Sequence, residues 1–217
     1  MNARPEPAPN DRALSSTGLM VRVLKRGPWG KADILLLSHD GTEMILKDYS
    51  EKGALVRWFG RRQLRRERRA LRRLQGIEGI PAILGEMAPC GLLLQPMPGE
   101  AITRWRRRRP EEIDPMLARL QELVARMHER GVAHLDLRKR DNILIDAAGR
   151  PSVIDFNASI VFHPGSIGAR VFFPWLARLD RAALLKWRSL LLPDRLTPAE
   201  RRRHRRMSRL RRLWIFN

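Results

Sequence analysis

The chain has 217 residues and a formal net charge of +20, supplied mainly by arginine. This length allows one domain or two small lobes with a substantial core. A single cysteine, Cys90, excludes an internal disulfide and a cysteine-based metal cage. The sequence has no apolar run long enough to span a bilayer and no apolar signal-peptide core at its start. We therefore expect a cytoplasmic protein, with a peripheral position on the inner face of the membrane as an alternative.

The first part of the chain has the pattern of strands and turns, followed by a helix. Residues 1–17 are predicted to form a disordered tail. Residues 34–37 form a short apolar run, Asp40–Gly41 is a hairpin-turn signal, and 44–47 is the expected return strand. Apolar residues at helical spacing predict a helix over roughly 61–75.

The second part is richer in helical patterns. Its predicted elements are, in chain order, a strand at 92–94, a helix over about 115–129, a hairpin of 143–145 with 153–154, and helices near 176–192 and 198–213. A strand-rich part before a helix-rich part predicts a two-lobed α+β domain. The expected N-lobe is 18–97, the expected C-lobe is 98–217 with a basic C-terminal helix, and the join lies at Gln95–Gly99.

Two acids and an amide in the C-lobe stand next to short apolar runs. Asp136 lies in a loop, where a carboxylate can accept or orient a hydroxyl proton. Asp155 follows a buried strand and suits cation binding, and Asn142 offers a neutral oxygen ligand. His134 is expected to support the loop rather than to act as a base. Arg138 either stabilises charge on a transferred phosphoryl group or is a surface arginine.

A lysine and an acid in the N-lobe are expected to pair. Lys47 ends an apolar strand, and a buried ammonium needs an anionic partner. Glu67 lies on the apolar stripe of an otherwise arginine-covered helix, so a Lys47–Glu67 pair satisfies both residues. The alternative for Glu67 is a surface pair with Arg61 or Arg62.

The segment Gly27–Lys31 lies between two predicted strands. Backbone amides at Gly27 and Gly30 would contact phosphate oxygens if this segment covers a nucleotide. A simple turn with a solvent-exposed Lys31 is the equal alternative.

The order of these parts resembles the protein-kinase-like fold over roughly residues 20–160: Lys47, Glu67, the Gln95–Gly99 join, His134-x-Asp136, Asn142 and Asp155–Phe156. The chain is most similar to small atypical kinases, the RIO-like group and the bacterial lipopolysaccharide-core sugar kinases. The resemblance implies a minimal two-lobed fold with ATP between the lobes. It implies magnesium on Asn142 and Asp155, and Asp136 as the residue that orients the acceptor hydroxyl. The residues then assigned to nucleotide binding are Lys47, Glu67, Gly27, Gly30, Gln95 and Met97.

The sequence departs from the family pattern in four ways. The glycine-rich loop is short, and Asn157 replaces a glycine after Asp155–Phe156. Asn142 stands six residues after Asp136, whereas Asp141 stands at the family's usual five. Asn142 is the preferred metal ligand because a strand follows it, and Asp141 is the alternative. No activation segment is recognisable after Asp155, so we expect no regulation by phosphorylation of such a segment.

The C-terminus combines arginines at 201–212 with an apolar tip at 213–216. It is expected to contact an anionic membrane surface or RNA, or to dock on the C-lobe as a terminal helix.

The expected function is an ATP-dependent phosphotransferase, foremost a RIO-like serine/threonine protein kinase. The alternatives are a lipopolysaccharide-core sugar kinase and a catalytically weak nucleotide-binding module that recognises RNA or anionic membrane.

Overall fold

The computed structural model describes residues 11–14, 19–163 and 165–203, and it confirms the predicted α+β class. The chain divides into two units. The first comprises residues up to Arg68 together with 82–96, and the second comprises 69–81 together with the residues from Met97 onward. The sequence pattern placed all of 18–97 in one lobe. The segment 69–81 groups with the second unit, where the Gly79 carbonyl accepts a hydrogen bond from the Val153 N–H.

The first unit is built on an antiparallel sheet of six strands in the order β1-β2-β3-β4-β6-β5. The strands are β1 (Asp11–Leu14), β2 (Leu19–Lys25), β3 (Asp33–His39), β4 (Thr42–Asp48), β5 (Ile83–Met87) and β6 (Gly91–Leu94). The predicted β3–β4 hairpin is confirmed, with Asp40 and Gly41 at φ values of 48° and 76°. Two consecutive positive φ values match the right-handed twist of the flanking strands.

The strand β1 was not predicted. The sequence analysis assigned residues 1–17 to a disordered tail, but Asp11–Leu14 pairs with β2 in antiparallel register. The sequence of this strand, Asp-Arg-Ala-Leu, has too few apolar residues to indicate a strand. Pairing with β2 supplies its backbone hydrogen bonds. Residues 1–10 and 15–18 lie outside the described residues.

Helix α1 (Ala54–Leu74) begins seven residues before the predicted start at 61. The sequence signal was weak there because Gly60 interrupts it. In the structure Gly60 is buried against the Tyr49 ring, where a Cβ atom would lie only 2.5 Å from ring carbons. The buried stripe of α1 keeps a spacing of three or four residues throughout: Val56, Gly60, Leu64, Glu67, Leu71 and Leu74.

The second unit contains helices and short strand pairs. Its elements are β7 (Glu100–Ala101), α2 (Pro110–Glu129), β8 (Val132–Ala133), β9 (Ile143–Ile145), β10 (Pro151–Val153), β11 (Ile160–Val161), α3 (Ile167–Val171) and α4 (Phe173–Leu191). The predicted hairpin is present as β9–β10, with its second strand starting at Pro151. Strand β7 pairs with β9, and β11 pairs with β8.

Helix α2 begins five residues before the predicted start at Pro115. Proline is favoured at the first helical position, so the sequence pattern placed the start there. In the structure Pro110 takes that position and the helix continues through Pro115. The predicted apolar face is buried as expected: Met116, Leu117, Leu120, Leu123, Val124 and Met127.

The last described part of the chain is also helical. Helix α4 was predicted over 176–192, and residues 198–203 form the start of the predicted terminal helix. The rest of that helix and the apolar tip lie outside the described residues. Within the described residues, no helix has both the length and the apolar character needed to cross a bilayer.

Candidate active site

The loop after β8 places Asp136 and Asn142 side by side. Asp136 is half-buried, and Asn142 is almost fully buried. The Asn142 Nδ2 donates to Oδ2 of Asp136 at 3.0 Å and to the Asp136 carbonyl at the same distance. These two bonds fix the Asp136 carboxylate and leave the Asn142 Oδ1 as the oxygen available to a cation.

The backbone of Ile154 links this loop to Asp155. The Ile154 N–H donates to the Asn142 carbonyl at 2.9 Å, and the Ile154 carbonyl accepts from Nε2 of His134 at 3.1 Å. Asp155 follows directly, with φ of 68°. The three residues that the sequence singled out therefore belong to one hydrogen-bonded group in the second unit.

His134 supports this group through both ring nitrogens. Its Nδ1 accepts from the Asp136 N–H at 3.3 Å, so Nε2 carries the proton that is donated to Ile154. Burial lowers the pKa of His134 below its usual 6.5, and the nearby Asp180 charge opposes that shift only in part. A neutral ring with both nitrogens engaged matches the supporting role predicted for His134.

Helix α4 holds the loop through three side chains. Asp180 is 1% exposed and accepts from the N–H groups of His134 and Leu135, each at 2.8 Å. The indole N–H of Trp187 donates to the Leu137 carbonyl at 2.8 Å. Lys186 donates to the Arg138 carbonyl at 2.6 Å. These contacts set the path of the backbone on both sides of Asp136.

Two backbone positions beside the site adopt left-handed conformations. Leu135 has φ of 67° and Asp155 has φ of 68°. A residue with a side chain is held there at an energetic cost of about 1–3 kcal/mol, and such positions cluster at functional sites. For Leu135, the hydrogen bond to Asp180 helps to maintain the conformation.

The Asp155 carboxylate lies among polar partners. Lys139 Nζ is 3.3 Å from Oδ2, and Nδ2 of Asn157 donates to Oδ1 at 2.6 Å. The Asn157 Oδ1 is buried and accepts no hydrogen bond from the described residues. Asn157 thus orients the Asp155 carboxylate.

The donor chemistry fits a magnesium ion that arrives with a nucleotide. Magnesium takes one or two protein oxygen ligands and completes its shell with phosphate and water oxygens. The Asp155 carboxylate and the Asn142 amide oxygen would hold such an ion. The described residues contain no cluster of three or more His, Cys, Asp or Glu side chains arranged for a metal.

The structure separates Asp141 from Asn142. The Asp141 side chain is half exposed and lies 3.4 Å from Nε of Arg140. Asn142, in contrast, contacts Asp136. Its position beside Asp136 favours Asn142 over Asp141 as the magnesium ligand. Arg138 is half-buried, and its carbonyl is held by Lys186.

In the first unit, Lys47 and Glu67 form a buried ion pair. Lys47 lies on β4 and Glu67 on α1, with Nζ 2.6 Å from Oε1. Lys47 is 8% exposed and Glu67 is 0% exposed. The surface pairing of Glu67 with Arg61 or Arg62 is therefore not the one found, since the acid faces inward as its place on the apolar stripe predicted.

The turn between β2 and β3 has a different internal organisation from the one expected. The Gly27 N–H donates to Oδ1 of Asp33 at 2.7 Å, so this amide is engaged inside the unit. Lys52 also contacts this carboxylate, at 2.7 Å. A Cβ at Gly27 would lie 2.2 Å from the Ala32 carbonyl oxygen. Close packing thus explains this glycine. For Gly30, which has φ of 80°, the phosphate role stays a prediction.

Asp33 is charged despite being buried. Burial alone would raise its pKa, but hydrogen bonds from Lys52, from the Gly27 N–H and from Arg26 outweigh that effect and lower the pKa. The turn is therefore stabilised by a buried carboxylate with several donors.

The two residues assigned to the join fall on either side of the unit boundary. Gln95 belongs to the first unit, and its Oε1 accepts from the Ala82 N–H at 3.3 Å while its own N–H donates to the Ala82 carbonyl. Met97 begins the next segment of the second unit and is half-buried.

Sequence reasoning missed three of the residues that shape the site: Lys139, Asp180 and Trp187. Asp180 carried a usable signal, because it is an acid on the apolar face of a helix, the same pattern that identified Glu67. Lys139 stands among several basic residues and carried none.

A comparison with protein-family models found no match. A search of curated proteins also found no match.

Proposed function

We propose that this protein transfers the γ-phosphoryl group of ATP to a hydroxyl acceptor. The observation that supports this most is the group in the second unit. There a carboxylate, Asp136, is fixed by the amide of Asn142. A second carboxylate, Asp155, follows Ile154, whose backbone is hydrogen-bonded to Asn142 and to His134. Phosphoryl transfer depends mainly on positioning and on stabilising charge, and this group supplies both.

Each residue of the second unit has a role in the proposal. Asp136 accepts or orients the proton of the acceptor hydroxyl. Asn142 and Asp155 would hold magnesium, which would neutralise charge on the phosphates. Arg138 stabilises charge on the transferred group, and Lys139, beside Asp155, is a further cation for the phosphates.

The first unit contributes the nucleotide contacts. Lys47, oriented by Glu67, binds phosphate oxygens through its ammonium group. Gly30 offers a backbone amide to phosphate, and Gln95 is assigned to the adenine. Met97, which is assigned to the adenine as well, belongs to the second unit. Lys47 is buried and paired, which matches a lysine held in one orientation more closely than a solvent-exposed one.

The acceptor we favour is a serine or threonine hydroxyl of a protein, as in RIO-like kinases. A sugar hydroxyl of a glycolipid is the second candidate, and the exposed apolar face described in the next subsection favours it. Both reactions use the same proton transfer at Asp136. Because ATP is the donor, we place the activity in the cytoplasm, with the inner face of the membrane as the site for a glycolipid acceptor.

Nucleotide binding with and without magnesium tests the proposal. Asp155→Ala should remove the part of ATP affinity that depends on magnesium and leave the fold intact by circular dichroism. Asp141→Ala is the matched control, since it removes a neighbouring exposed carboxylate, and it should bind as wild type does. Equal magnesium dependence in wild type and Asp155→Ala would contradict the metal role, and loss in Asp141→Ala alone would reassign it.

A further inference from the structure

The outer face of α3 and α4 carries large apolar side chains that face solvent. Their relative exposure runs from 44% to 81%: Ile167, Val171, Phe172, Trp175 and Leu179. Backbone hydrogen bonds continue across the α3–α4 junction, from the Phe172 N–H to Gly168 and from the Leu176 N–H to Phe172. Residues four apart on a helix lie on one face. Ile167, Val171, Trp175 and Leu179 therefore form a single row, which we call the α3–α4 face.

The opposite side of α4 is already occupied by the core. Its buried residues include Leu176, Ala183 and Leu191, together with the two side chains, Asp180 and Trp187, that hold the loop around Asp136. Helix α4 thus has a packed inner face, while Trp175 and Leu179 remain exposed on its other side. Solvent exposure of four large apolar side chains in one row marks an interaction surface rather than scattered surface residues.

The exposed charged residues of α3 and α4 are all basic. Asp180 is the only acid between residues 167 and 191, and it is buried. Arg170 and Arg178 are exposed and stand next to Val171 and Leu179. Apolar and aromatic side chains flanked by arginines, with no exposed acid on the same two helices, are the combination that lies at the boundary between lipid headgroups and acyl chains.

We propose that the α3–α4 face docks on an anionic lipid surface. The apolar row enters the interface, Trp175 lies at the headgroup level that tryptophan prefers, and Arg170 and Arg178 contact lipid phosphates. Charge complementarity favours this partner over a second copy of the chain. A two-fold contact would place the same arginines of two highly cationic molecules against each other.

This inference does not rest on the proposed phosphoryl transfer, because lipid binding needs no nucleotide. If both hold, the same unit that contains Asp136 also contacts the membrane, where a glycolipid acceptor would be found.

Sedimentation of the full chain with vesicles tests the proposal. The vesicles are phosphatidylcholine alone, or phosphatidylcholine mixed with phosphatidylglycerol. The wild type should bind the mixed vesicles, and Val171→Gln/Trp175→Gln should bind them about tenfold or more weakly, since two apolar side chains no longer leave water. The matched control is Leu24→Gln/Leu84→Gln, which removes two comparably exposed leucines from the first unit and should bind as wild type does.

The charge contribution is tested with a second variant. Arg170→Gln/Arg178→Gln should weaken binding to mixed vesicles by about tenfold, and salt should reduce the difference between this variant and wild type. Asp136→Asn should bind vesicles as wild type does, so failure of the phosphoryl-transfer proposal leaves this result unaffected.

Three results would overturn the proposal. The first is wild-type binding by Val171→Gln/Trp175→Gln, since other basic regions would then account for lipid affinity. The second is no binding of the wild type to mixed vesicles. The third is a wild type that sediments as a dimer without vesicles while Val171→Gln/Trp175→Gln is monomeric, since the face would then join two copies.

Discussion

Buried polar side chains at single positions define the candidate site. His134, Asn142 and Asp180 are each at most 1% exposed, yet each makes specific hydrogen bonds. A buried polar group without such bonds would be destabilising by about 1–3 kcal/mol. These hydrogen bonds therefore hold Asp136 in one position.

His134 should make stability depend on pH. Its folded-state pKa lies below the unfolded value of 6.5, so its contribution is complete above 6.5 and is lost as pH falls toward the lowered folded pKa. The urea concentration at the midpoint of unfolding should decrease as the pH is lowered from about 7.5 to about 5. His134→Gln, which stays neutral, should flatten this dependence. His39→Gln, at an exposed histidine, is the control, and equal slopes in wild type and His134→Gln would contradict the argument.

The Lys47–Glu67 pair should show the asymmetry of a buried ion pair. Glu67→Gln leaves a buried ammonium without its carboxylate, so we expect a loss of about 3–5 kcal/mol in the free energy of unfolding. Lys47→Met/Glu67→Leu should recover most of that stability and still lose ATP affinity. The control is Glu86→Gln in the exposed pair with Arg68, where a loss of at most about 1 kcal/mol is expected. A Glu67→Gln protein as stable as wild type would show that the pair is not buried as described.

At the scale of elements, α4 determines the conformation of the loop that carries Asp136. Asp180, Lys186 and Trp187 are spaced so that one helix contacts the backbone from His134 to Arg138. The inner face of α4 is packed, so the hydrogen bonds from this helix hold the loop to the core.

Removing the Asp180 carboxylate should therefore affect both stability and activity. Asp180→Ala leaves two buried N–H groups and the His128 ring without their acceptor, so we expect a loss of about 3 kcal/mol or more, and lower turnover, in parallel assays. Trp187→Phe removes one donor and should lower stability by about 1 kcal/mol. Asp194→Ala at an exposed site is the control. Full turnover by a folded Asp180→Ala protein would show that the Asp180 contacts are not needed for activity.

Local patterns in the sequence predicted the elements whose stabilising contacts are local. The β3–β4 hairpin follows from its turn residues, and the buried face of α2 follows from its spacing. The start of α1 depends on Gly60 packing under the distant Tyr49 ring, and β1 depends on pairing with a sheet edge, so neither has a local signal.

The same distinction applies to the site. Asp136, Asn142 and Asp155 were predicted from their order along the chain, and the Lys47–Glu67 pair from an acid on an apolar stripe. The hydrogen bond between the Gly27 N–H and Asp33 was not, because a glycine indicates backbone freedom but not the partner of its amide. Asp180 shows that the rule used for Glu67 would have found a second residue had it been applied to α4.

At the scale of the whole molecule, the protein uses several of its acids internally. Asp33, Glu67, Asp146 and Asp180 are buried, so the surface is more cationic than the net charge of +20 alone implies. Such a surface attracts polyanions, among them nucleotides and anionic lipids. The proposed phosphoryl transfer requires more than this attraction, because it depends on the positions of Asp136, Asn142 and Asp155 in the second unit.

Transfer of label from ATP tests this account most directly. The protein is incubated with γ-labelled ATP and magnesium in the presence of separated protein, glycolipid and nucleic-acid fractions of cells. The wild type should label one fraction, whose identity gives the acceptor class. Asp136→Asn should bind ATP as wild type does, but the label it transfers to that fraction should be lower by about a hundredfold or more. Equal labelling by wild type and Asp136→Asn, or no transfer by a wild type that is folded, would contradict the account.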